Sequence, residues 1–75
     1  DPGINEVVFQ KAALLSDKDI KIIKDVLREV YKNNTYALLA PLTKKIKEVT
    51  GIETSMIPLE FVETILKDHS HLANN

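Results

Sequence analysis

The stretch Ser16 to Tyr31, SDKDIKIIKDVLREVY, constrains the fold of this chain more than any other. Ile20, Ile23, Leu27 and Val30 recur at helical spacing, and Ile22 and Val26 widen the stripe. At about 100° per residue, these side chains and Tyr31 cover roughly half the circumference of a helix. A two-helix seam needs less, so the spacing predicts a central helix that touches more than one neighbour. Ser16 and Asp19 stand where a capping box puts its hydroxyl and its acid. Asp17 and Asp19 complement the positive end of the helix dipole, and Arg28 and Lys32 the negative end. Asn33-Asn34 marks the stop, because asparagine tolerates the left-handed cap conformation.

With one such helix fixed, 75 residues leave room for one domain, residues 1–75, and one core. Aromatic side chains are limited to Phe9, Tyr31, Tyr36 and Phe61, so the core must be aliphatic. The chain has no cysteine, which excludes disulfide stapling and thiolate metal sites. That composition suits a reducing compartment, and the expected location is intracellular. A net charge of −1 exerts no overall pull on nucleic acid or anionic membrane. No apolar run approaches the ~20 residues that a membrane span needs. The chain starts at Asp1, not Met, and is expected to be a domain excised from a longer protein.

The remaining pattern predicts three more helices, for an all-α fold resembling a small four-helix bundle. A first helix is expected over residues 5–14, where Ile4, Val8, Ala12 and Leu15, or Val7, Val8, Leu14 and Leu15, share a helical face. A third, capped by Asn34 or Thr35, carries Leu39, Leu42, Ile46 and Val49. Pro41 removes a backbone donor and clashes with the preceding turn, so this helix is expected to be kinked or split there. Gly51 closes it. Ile52, Met56 and Ile57 make the following connector too apolar for a loose loop, and all three are expected against the core. Pro58 opens the fourth helix at its first position. Leu59, Val62 and Leu66 form one row on that helix, and Phe61 and Ile65 another.

Residues that could carry chemistry are few. Asp68-His69-Ser70-His71 has the letters of a catalytic triad, but a triad needs groups converging from separate elements beside an oxyanion hole. Adjacent residues at a helix end diverge, and no catalytic residue is assigned. His69 and His71 do not share a helical face, and no third ligand is evident, so no metal site or cofactor is expected. Asn33-Asn34-Thr35 fits the glycosylation acceptor pattern but reads more simply as an asparagine-rich turn. The basic stripe Lys21, Lys24, Arg28 and Lys32 runs beside Asp25 and Glu29, as on a solvated face laced with ion pairs.

Two functional readings follow. In the first, the chain is a protein–protein interaction or assembly module and not an enzyme. Two apolar rows on the fourth helix, and Phe9 out of step on the first, suggest a partly exposed groove between them. Phe9, Met56, Phe61 and Ile65 would line it and accept an amphipathic helix from another protein or from a second copy. The alternative is DNA binding. A helix ending at Thr50-Gly51 with another soon after has the outline of a helix-turn-helix, and Lys44, Lys45 and Lys47 could contact phosphates. Lys47 stands where close helix contact favours a small residue, and Pro58 falls inside the recognition helix that this outline requires.

Overall fold

Ser16 starts the first α-helix as its chemistry dictates. Its hydroxyl oxygen accepts from the Asp19 N–H at 3.1 Å, and the Asp19 carboxyl accepts from the Ser16 N–H at 3.0 Å. The computed structural model describes residues 7–74. Every regular element among them is helical: α1 (Asp17–Asn33), α2 (Leu39–Thr50), α3 (Pro58–Ala73) and two short 3₁₀ segments, Gln10–Leu14 and Tyr36–Leu38. The fold is all-α, with three α-helices where four helices were expected.

The first expected helix is the main correction. It is a five-residue 3₁₀ turn, Gln10–Leu14, preceded by extended backbone at Phe9 and followed by extended backbone at Leu15. Residues 5 and 6 of the expected helix lie outside the described residues. A 3₁₀ helix has three residues per turn, so side chains three apart stack on one face. Phe9, Ala12 and Leu15 have that spacing, and all three turn toward the core while Val8 and Leu14 face solvent. No side chain caps this turn, and it holds its shape by packing.

α1 buries Ile20, Ile23, Leu27 and Val30. Its buried stripe is narrower than expected, since Ile22 and Tyr31 are 48% and 54% exposed. Asn34 ends the helix at φ 55°, ψ 34°, and its N–H donates to the Val30 carbonyl at 2.8 Å.

The next helical stretch is indeed in two parts, but the change falls between Leu38 and Leu39 and not at Pro41. Pro41 is the third residue of α2, within the first turn, where backbone N–H groups have no intrahelical acceptor. The missing donor therefore breaks nothing. Thr35 does not cap this stretch with its side chain. Gly51 closes α2 at φ 77°, in the left-handed region that favours glycine, and its N–H donates to the Lys47 carbonyl.

The connector after Gly51 is ordered by threonines. The Thr50 hydroxyl donates to the Ile46 carbonyl at 2.7 Å and accepts from the Ile52 N–H at 3.2 Å. The Thr54 hydroxyl accepts from the Met56 N–H. Ile52 is buried and Met56 half-buried, as expected, whereas Ile57 is 67% exposed.

Pro58 opens α3 at its first position, where its fixed φ suits a helix and its missing donor is not needed. Phe61, Val62, Ile65 and Asp68 have no exposed surface, so the row of Phe61 and Ile65 goes inside, while the other row is buried at Val62 and half-buried at Leu59 and Leu66. α3 packs against the 3₁₀ segment Gln10–Leu14, α1 and α2, which makes it, not α1, the central element. Tyr31 on α1 donates its hydroxyl to the Glu63 carboxylate on α3, tying the two at the surface.

Candidate functional site

Two of the exposed apolar residues, Ile22 and Val49, meet across a cleft between α1 and α2. Ile22 and Ile23 face this cleft from α1, and Leu42, Ile46 and Val49 from α2. Leu15 closes one end. Ile23 and Ile46, both 2% exposed, form the floor, while Ile22 (48%) and Val49 (38%) stand open on either side. The cleft encloses about 80 Å³, on the scale of a single aliphatic side chain. Its rim carries Asp19 on one side and Lys45 on the other. Hydrogen bonds from Ser16, the backbone N–H first, hold the Asp19 carboxyl below the usual carboxylate range, and the charges of Lys45 and Lys18 act in the same sense. The result is an apolar slot with one acidic and one basic edge.

Local sequence explains the slot. Ile22 lies one residue off the buried row of α1, about 100° round the helix. Val49 is the last apolar residue of α2 before its Gly51 cap. Isolated exposed apolar side chains are ordinary on any protein surface; here two of them flank one depression.

The groove expected between the N-terminal segment and the last helix is closed. Phe61 and Ile65 have no exposed surface, and Phe9 and Met56 are half-buried against the core. The Phe9 ring meets the Phe61 ring edge to face, with centroids 5.4 Å apart and planes at 76°. The chain fills this groove with its own N-terminal segment, so these four residues do not form an open partner-binding surface.

The three lysines of the DNA alternative are not equivalent. Lys44 and Lys45 are exposed. Lys47 is half-buried; its ammonium donates to the Thr54 carbonyl at 3.1 Å and lies 5.7 Å from the centre of the Phe61 ring. It braces the connector against α2. With its ammonium over the Phe61 ring, this lysine occupies a position where the helix-turn-helix outline favours a small residue. The seven residues Gly51–Ile57 also exceed the three or four of a helix-turn-helix turn, and Pro58 begins the following helix. On α1, Asp25 pairs with Lys21 at 3.3 Å and Arg28 at 3.1 Å, as on a solvated helix face. The Lys21 hydrogen bond is the largest cause holding the Asp25 carboxyl below its usual range.

Asp68, which the sequence analysis weighs only as part of the helix-end run Asp68-His69-Ser70-His71, is a core residue. Its carboxyl is fully buried; Oδ2 accepts the Phe9 N–H at 2.8 Å, and Oδ1 has no hydrogen-bond partner among the described residues. The signal was there: Phe61, Ile65 and Asp68 follow one helical row, which puts Asp68 on the inner face. The neighbouring His69 donates from Nε2 to the Leu15 carbonyl at 3.1 Å. Asp68 and His69 thus hold two ends of the N-terminal segment and do not converge on a shared point. Among the described residues no group of three or more His, Asp or Glu side chains is placed to hold a metal ion, and no helix is long and apolar enough to cross a membrane.

A family model described as "Domain of unknown function (DUF8484)" matches residues 5–75. No curated protein and no solved structure matches the chain.

Proposed function

The chain belongs to the family described as a domain of unknown function, DUF8484, and for it we propose a role as a protein–protein interaction or assembly module. The working surface in this reading is the α1–α2 cleft. It takes an apolar side chain from an amphipathic helix, offered by another protein or by a second copy. The observation that carries the reading is the exposure of Ile22 and Val49 on opposite sides of an apolar slot whose floor is already packed. A helix laid along the slot removes both from water, at about 25 cal/mol for each Å² of apolar surface covered. Asp19 and Lys45 set its direction, since a helix with a basic and an acidic residue flanking its anchor fits one way round better than the other.

The test is a pull-down with paired baits. Ile22→Asp puts a charge in the slot, and because Ile22 is already half in water the fold should tolerate it. A protein retained by the wild-type domain and lost with Ile22→Asp, at equal melting temperature, supports the cleft. Identical retention by the two baits removes it.

A further inference from the structure

The groove on α3 is filled by an unusual tenant. Residues 7–15 include only one 3₁₀ turn, and they lie on α3 and α2 more than on α1, the helix to which they are joined. Three side chains at a spacing of three hold them there. Phe9 sets its ring edge against Phe61, and Ala12 and Leu15 enter the cluster that Phe61, Val62 and Ile65 anchor. Two polar clamps from α3 grip the segment's ends: Asp68 Oδ2 takes the Phe9 N–H, and His69 reaches the Leu15 carbonyl. The link to α1 is short and extended, with Leu15 at φ −76°, ψ 135° and Ser16 at φ −77°, ψ 167°. The capping box of α1 uses only Ser16 and Asp19, so rotation at this link leaves α1 intact.

We propose that residues 7–15 form an exchangeable strap, and that the α3 groove accepts the strap of a second copy of this chain. Such an occupant needs no new complementarity. The groove's fit to a Phe-x-x-Ala-x-x-Leu face and its buried acceptor for the leading N–H are both specified by a segment that every copy carries. Exchange of an identical element between protomers keeps every strap contact and changes only which chain supplies it. The proposal is independent of the α1–α2 cleft, which lies on other residues apart from Leu15.

The experiment uses the unmodified chain. Carbon-13-labelled and unlabelled copies are mixed, unfolded together and refolded at millimolar concentration. Size is read by sedimentation and contacts by isotope-filtered nuclear Overhauser spectra. Strap exchange gives a dimer fraction that rises with concentration and cross-chain contacts between the Phe9 and Phe61 rings. A chain that stays monomeric throughout overturns the proposal. So does a dimer whose cross-chain contacts join Ile22 and Val49 while Phe9 meets Phe61 within each chain; that result leaves the cleft reading standing.

Discussion

The backbone N–H of Phe9 donates to Asp68 Oδ2 at 2.8 Å, joining residues 59 apart in the sequence. It is a bond between an uncapped N-terminal segment and a carboxyl with no exposed surface. Buried polar groups are expensive to leave unmade, so this pair fixes where the segment lies as well as adding stability. Asp68→Ala should leave the Phe9 N–H unpaired and lower stability by about 1–3 kcal/mol. Asp68→Asn keeps an acceptor oxygen and should lose less. Urea denaturation gives the two values, and hydrogen exchange at Phe9 should accelerate in the alanine variant before that at Val30. Equal stability of both variants and wild type would mean that the contact has no part in the fold.

Phe61 gives the sharpest energetic expectation. Its ring is fully buried, stacked edge to face with Phe9 and approached by the Lys47 ammonium. Phe61→Ala should cost ~3–5 kcal/mol, a large part of the stability of a domain this small. Chemical denaturation measures it. A variant as stable as wild type would return Phe61 to the partly exposed groove that the sequence pattern suggests.

The basic residues of α2 should separate cleanly. Lys47→Ala removes a hydrogen bond to the Thr54 carbonyl and a cation over an aromatic ring, and should lower stability by about 1 kcal/mol. Lys44→Ala and Lys45→Ala, exposed on the same helix, should change it by less than about 0.5 kcal/mol. Thermal melts of the three single variants decide this. Three equal values would contradict the bracing role of Lys47.

Acid should weaken the fold through Asp19 and Asp25. Both carboxyls are held below their usual range, Asp19 first by the Ser16 backbone N–H and Asp25 first by the Lys21 hydrogen bond. A lowered folded-state pKa means that folding favours the ionised form. The stabilisation is complete above the unfolded pKa and is lost as pH falls through the lowered folded value. The melting temperature should therefore decline once pH drops below the ordinary carboxylate range. Asp19→Ala should be less stable at neutral pH and show a shallower acid decline, and an unchanged acid limb in that variant would count against the capping box.

What the sequence made legible was local. The start of α1 at Ser16, its stop at Asn34, the closure of α2 at Gly51 and the opening of α3 at Pro58 each depend on a residue and its near neighbours. The rest was settled by docking. Residues 10–14 take a 3₁₀ turn because α3 offers a surface for side chains three apart, and nothing within the segment itself reveals that surface. The two rows on α3 are too wide for one narrow core line, and α3 hides them because it has neighbours on several sides: the segment Gln10–Leu14, α1 and α2. Hydrophobicity alone places Ile57 against the core, yet it is 67% exposed. Ile22 and Val49 belong to rows of apolar spacing in which most members are buried. Their exposure depends on where α1 and α2 diverge, a tertiary distance that no pattern along one helix contains.

The measurement that tests the interaction surface most directly is a pair of amide spectra series on the isotope-labelled domain. One series follows dilution, and the other follows titration with amphipathic helical peptides that carry a single Leu, Ile or Phe anchor between a basic and an acidic residue. The account predicts saturable shifts centred on Ile22, Leu42 and Val49, with the amides of Phe61 and Ile65 unmoved, and their loss in Ile22→Asp. Shifts centred on α3 with none at the α1–α2 cleft, or no saturable shift in either series, would contradict it.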